Sequence, residues 1–272
     1  MSDAADFQAA TKVQQNMWAN GDFAMVAHLV VPVSEGLAEA LEIVPGERVL
    51  DVACGSGNGA LAAARRAFDN ATGADFVPAL LERARERAAA ERLDVDFVEA
   101  DAQDLPFGDG EFDVTMSIFG VMFAPDHQKG ADEMLRVTRS GGRIGVASWC
   151  PDGGLQDFFA TIVKHTGGPP PGAVPPVLWG DENHVRDLFG DSVTELRAER
   201  RKSRQAFNSA EHYIEFFRNY FGPIKTAFET VGPEGEQALT DDLKRVLEQL
   251  STGGQRALVV EPEYLQVIAT RA

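Results

Sequence analysis

The residues best equipped for chemistry lie in one string, Val49-Leu50-Asp51-Val52-Ala53-Cys54-Gly55-Ser56-Gly57-Asn58-Gly59. Its glycines permit a sharp turn and let a ligand approach the backbone. Free N–H groups where a following helix starts favour a carboxylate or phosphate. The spacing Gly55-Ser56-Gly57-Asn58-Gly59 is not the G-x-G-x-x-G of a dinucleotide site. Asp51, just before the loop, sharpens the chemistry, because a carboxylate there repels a pyrophosphate and suits an ammonium or sulfonium group. Asp75 follows 24 residues later, at a distance where a carboxylate can accept from both hydroxyls of a ribose. Asp101-Ala102 can accept from an adenine amino group, and Ser117-Ile118-Phe119 offers backbone carbonyls and an apolar wall.

These groups share one crevice only if each stands where a strand ends. Short apolar runs predict strands at 49–53, 71–76, 95–100, 112–119 and 143–149, with helices at 60–67, 78–92 and 129–138 between them. Ser140-Gly141-Gly142 reads as the stop of the last of these helices. Continuous apolar strands joined by helical crossovers mean parallel pairing with both faces covered, a doubly wound α/β sheet. Ligands of such sheets bind beyond the carboxyl ends of the strands, where all four features fall. Residues 1–45 read as helical. After Pro151 the pattern loosens into helices at 155–165, 182–189, 210–221 and 234–250, a proline loop at 167–172, and strands at 193–207 and 264–270.

The chain's 272 residues carry 25 Lys and Arg against 42 Asp and Glu, a formal charge of −17. Such a surface repels nucleic acid and anionic membranes, and the basic run from Arg197 to Arg204 reads as a solvated strand face. No run approaches eighteen consecutive apolar residues, and the first residues have no leader-like pattern. Cys54 and Cys150 form neither a disulfide framework nor a zinc set, so no metal is expected. A reduced, cytoplasmic protein is the expectation.

The segments VLDVACGSGNG, GADFVPALLERAR, VEADAQDLPFGDGEFD and RVTRSGGRIGVASW together resemble the class I S-adenosylmethionine-dependent methyltransferases, most nearly the ubiquinone/menaquinone C-methyltransferase-like branch. The resemblance covers about residues 40–150. It implies a seven-stranded, mostly parallel Rossmann-like sheet whose last strand is antiparallel, with a helical cap. S-adenosyl-L-methionine would be the cofactor and S-adenosyl-L-homocysteine its product. By position Asp51, Ala53 and Gly55 would line the methionine end, Asp75 the ribose, and Phe76, Asp101 and Ala102 the adenine, with Ser117 at the wall. Ala53 stands where the family pattern has a glycine, which is tolerable if its φ is negative.

Three regions follow: a helical lid at 1–45, a cofactor-binding core at 46–150, and at 151–272 the rest of the sheet with an inserted cap. The segment from Gln14 to Trp18 would fold over the cofactor and wall the substrate pocket. His127 is the one histidine that topology sets near the methyl group and so the candidate base, although Asp126 and His127 also suit a helix cap. Cys54 reads as a packed thiol. The aromatic residues at 213, 216, 217, 220 and 221 read as a packed helix face that also touches substrate. The acceptor would be a small, largely apolar or aromatic molecule. A non-catalytic cofactor-binding protein and a nicotinamide- or flavin-linked oxidoreductase are the alternatives.

Overall fold

The first strand, β1 (Val49–Val52), is buried at all four positions, as a strand covered on both faces must be. With β2 (Ala71–Asp75), β3 (Val95–Glu99), β4 (Phe112–Ile118) and β5 (Thr138–Trp149) it forms a parallel array. Two late strands extend it: β9 (Glu263–Arg271) runs antiparallel to β5, and β6 (Val193–Lys202) pairs antiparallel with β9. The order β3-β2-β1-β4-β5-β9-β6 makes a seven-stranded sheet, the doubly wound arrangement expected, with a mostly parallel body. The computed structural model describes residues 2–68, 70–167 and 174–272, and only the backbone course of residues 2–10. From Gly168 on, the expected proline loop lies outside the described residues.

Helices α4 (Asn58–Ala67), α5 (Pro78–Glu91) and α6 (His127–Val137) fill the crossovers. Helix α4 is alanine-rich and buries seven of its ten residues, so it lies close against the sheet. The glycines at 141 and 142 do not follow α6 as a separate turn. The chain enters β5 directly at Thr138, and the register shifts between Phe112 and Val114 of β4. The glycine pair sits within that irregularity, Gly141 with φ +71°, as a bulge rather than a helix stop.

The N-terminal 45 residues divide. Helix α1 (Ser2–Ala19) and the short α2 (Phe23–Ala27) lie toward the carboxyl ends of the strands, whereas α3 (Val31–Ala40) packs on the flank against α4 and β5. Phe23–Ala40 is long and apolar enough by composition to cross a membrane. The chain breaks it at a 3-10 turn, His28–Val30, and α3 buries Val33, Leu37 and Ala38 in the main core.

The last third divides as well. Helix α8 (Glu182–Phe189) and the 3-10 segment Pro176–Gly180 return to the main core through Trp179, Val185 and Phe189. A second core joins α7 (Gln156–Thr166), α9 (Ala210–Tyr220) and α10 (Gly222–Leu250) around Phe158, Tyr213, Phe217, Leu239, Leu243 and Leu247. Helix α10 bends at Gly232-Pro233, where Gly232 takes φ 61° and ψ −177°, so the predicted helix from 234 is its second half. The single strand predicted over 193–207 is two. β7 (Gln205–Phe207) leaves the sheet and pairs with β8 (Leu258–Val260) under the cap, because Gln205 and Phe207 bury there.

Candidate active site

A cavity of about 910 Å³ opens beyond the ends of β1 to β4, lined among others by Asp51, Ala53, Gly55, Asp75, Phe76, Asp101 and Ala102. Asp51 forms its floor and is 1% exposed. The Ala60 N–H, in the first turn of α4, donates to Asp51 Oδ2 at 2.8 Å. Asp51 Oδ1 is buried and has no partner among the described residues. Burial pushes this carboxyl up to about 8, against the Ala60 donor and with a further push from the Asp75 charge. The tight fit of α4 on β1 depends on Gly59, where a Cβ would stand 2.5 Å from Asp51 Oδ2.

Asp75 ties the loop to the sheet. The Gly55 N–H donates to its Oδ2 at 2.8 Å and the Val77 N–H to its Oδ1 at 2.9 Å. Its carboxyl is raised to about 6, burial outweighing these donors. At the next strand end the Gln103 N–H donates to Asp101 Oδ1 at 2.9 Å, and its side-chain amide also donates to the carboxylate. Both oxygens of Asp75, and Oδ2 of Asp101, retain a lone pair for a ligand.

Ala53 departs from expectation. Its φ is +53°, not negative, because the chain reverses there in the conformation glycine takes without cost. Gly120 explains how tightly: a Cβ on it would stand 2.4 Å from the Ala53 carbonyl oxygen. Phe119, also at φ +53°, holds its ring stacked on Trp149, with centroids 3.9 Å apart. Cys54 is buried, and burial raises its thiol well above the usual range, as a packed thiol should be.

Two expected site residues lie outside the lining. Ser117 is fully buried, its hydroxyl donating to the Val52 carbonyl at 2.6 Å and accepting from the Val121 N–H at 2.9 Å. It cross-links β4 to β1, with its proton and one lone pair engaged. His127 opens α6 behind the cavity wall, with Nδ1 3.0 Å from His184 Nε2. Burial and then the neighbouring His184 lower it to about 4, which favours the neutral imidazole, and Asp126 caps the helix through the Lys129 N–H.

Trp18 lies at the meeting of two cavities. A second, of about 640 Å³, adjoins the first across Trp18, Phe23, Val30, Phe119 and Phe123, which line both. Trp18 meets Phe23, Phe123 and Phe221 edge-on, at 5.2, 4.8 and 5.6 Å between centroids. Thr11 and Gln14 of α1 line the first cavity too, with Gln14 Oε1 buried and unpartnered among the described residues. Sequence reasoning named Gln14 within the segment to Trp18 but missed Gln103 and Gly120, of which Gln103, two residues after Asp101, lay inside a motif already marked.

A family model described as a methyltransferase domain matches residues 49–142. Over 270 residues the chain is 40% identical to the uncharacterized protein Rv1405c of Mycobacterium tuberculosis (strain ATCC 25618 / H37Rv), covering 98% of this chain and 97% of that one. The crystal structure of the YcgJ protein from Bacillus subtilis superposes with a TM-score of 0.62 at 18% identity, over 88% of this chain and 97% of that one. The chain carries a methyltransferase domain of the S-adenosylmethionine-dependent kind. This methyltransferase is also 44% identical over 113 residues to the demethylmenaquinone methyltransferase of Thermus thermophilus, 41% of this chain and 51% of that protein. That match is too short to carry an acceptor across. The oxidoreductase alternative falls with the family. The residues present fit the cofactor: the methyltransferase buries an unpaired carboxylate oxygen on the cavity floor, where a cationic group supplies the missing partner.

Proposed function

We propose that this enzyme transfers a methyl group from S-adenosylmethionine to a small, largely apolar or aromatic acceptor seated in the second cavity. One observation carries the proposal: the two cavities share a wall of aromatic and aliphatic side chains, so a donor in one and an acceptor in the other are neighbours. When bound, the cofactor would supply an electrophilic sulfonium methyl, whose carbon an acceptor lone pair attacks in line as the sulfur–carbon bond breaks and S-adenosylhomocysteine leaves as the neutral thioether.

The chain's own part is positioning and exclusion of water. Asp51 would hold the ammonium end, Asp75 the ribose hydroxyls, and Phe76 with Asp101 and Ala102 the adenine. Gly55 keeps the loop close enough for backbone contact. Trp18 and Phe123, which line both cavities, would cover the methyl group. Tyr213 is the one titratable side chain lining the second cavity among the described residues, and burial raises its pKa, so it does not act as a base at neutral pH. The acceptor therefore brings its own nucleophilicity.

The test is a panel of phenolic, enolic and amine acceptors, with S-adenosylhomocysteine release followed by mass spectrometry. Turnover with one aromatic member supports the proposal. Tight binding of S-adenosylhomocysteine with no turnover on any member favours a non-catalytic binding protein instead.

A further inference from the structure

The second cavity is built almost wholly from apolar and aromatic side chains. Phe119 and Trp149 present a stacked pair, their planes 11° apart, and Tyr213 and Phe217 another at 4.3 Å. Flat walls of this kind suit a flat ring, since offset stacking adds to the burial of area. No Lys, Arg, His, Asp or Glu lines the cavity among the described residues. An anionic group entering it would lose water and find no cation.

Gln205 breaks the pattern. It sits on β7, the strand that leaves the main sheet, and is 6% exposed. It is the one non-aromatic polar side chain of the lining. Its amide makes no side-chain hydrogen bond among the described residues, and Oε1 is buried without a partner. A buried amide is normally paired, and leaving it unpaired is costly. A satisfied amide needs a partner able to donate to its oxygen or accept from its nitrogen, and a ring hydroxyl does both.

We infer that Gln205 is a specificity-determining residue of the acceptor site, and that the acceptor is an uncharged aromatic molecule whose ring hydroxyl pairs with the Gln205 amide. The inference rests on the second cavity being the acceptor site. The strand break that separates β7 from β6 thereby gains a purpose, because it turns one amide into an otherwise apolar chamber.

Binding of four probes, 2-naphthol, naphthalene, 2-naphthoate and 2-naphthylmethylammonium, is measured by calorimetry on the full chain saturated with S-adenosylhomocysteine. The wild type is expected to bind 2-naphthol more than tenfold tighter than the carboxylate or the ammonium probe. Gln205→Met keeps the size and removes the amide, and is expected to lower the ratio of naphthol to naphthalene affinity roughly fivefold, with S-adenosylhomocysteine affinity unchanged. An unchanged ratio overturns the inference. So does carboxylate or ammonium binding as tight as that of naphthol in the wild type, a result that stands even if the variant does not fold. Failure of S-adenosylhomocysteine to bind at all would instead strike the cofactor reading, so the two failures are distinct.

Discussion

Asp51 is protonated to a large extent in the free protein near neutrality, its carboxyl raised from 3.8 to about 8 by burial. A carboxyl raised on folding stabilises the fold fully below its unfolded pKa and loses that contribution as pH rises through the folded one. Asp75, raised to about 6, acts likewise at lower pH, while His127, lowered to about 4, acts oppositely below its ordinary 6.5. Between pH 6.5 and 8.5 the Asp51 contribution therefore dominates these three, and the free protein should melt progressively lower across that window. Asp51→Asn should flatten the slope, as calorimetry at several pH values would show. Ligand binding runs the other way. A cationic group prefers the ionised carboxylate, so S-adenosylmethionine affinity should rise with pH up to about 8, by at most about tenfold per unit. Affinity flat from pH 6 to 8 would remove Asp51 from the cofactor's cationic end. Ala53 offers a separate test. At φ +53° an alanine is strained by about 1–2 kcal/mol, and part of that returns in Ala53→Gly after the unfolded chain's added freedom is subtracted. The variant should melt higher by about 2–4 °C, and a lower melting point would show that the turn is not strained. The three aspartates line one cavity as strand position alone suggests: Asp51 and Asp75 stand in the last two residues of β1 and β2, and Asp101 two residues past β3. Ser117 and His127 lie outside the cavity's lining, because position near the carboxyl end of a sheet does not say which way a side chain points.

At the scale of elements, the parallel strands and their crossover helices were legible because their apolar runs and caps agree with one another. The glycines at 141 and 142 misled because a bulge and a helix stop use the same residue type. The parting of β7 from β6 was invisible, since the basic run continues through Arg204 and only burial of Gln205 and Phe207 in the cap decides it. Helix α1 makes a further prediction. It contributes Thr11, Gln14 and Trp18 to the first cavity, and Gln15 donates to the Phe76 carbonyl. Amide hydrogen exchange over residues 11–30 should slow when S-adenosylhomocysteine is added, while that of α3, buried on the flank, stays constant. Equal protection of both helices with and without ligand would make α1 a fixed flank.

On the scale of the whole molecule, two cores were only partly legible. The sheet core follows from its strands, but the cap core assembles from α7, α9, α10 and the β7–β8 pair, whose residues are scattered over a hundred positions. Periodicity identifies each helix and not the partner it meets. Trp18 joins these bodies: its ring touches Phe23 of α2, Phe123 beyond β4 and Phe221 at the start of α10, and it walls both cavities. One bolt therefore secures two doors. If the methylated product and the spent cofactor occupy these two cavities, a ring that borders both would couple their release, and a displacement of α1 would then limit each cycle in place of the methyl transfer. Turnover should then slow in proportion to solvent viscosity, and Trp18→Ala should weaken that dependence while it loosens both ligands. A rate indifferent to viscosity in the wild type would put the chemistry back in command, and this enzyme's pace would be set at the sulfur instead of at its door.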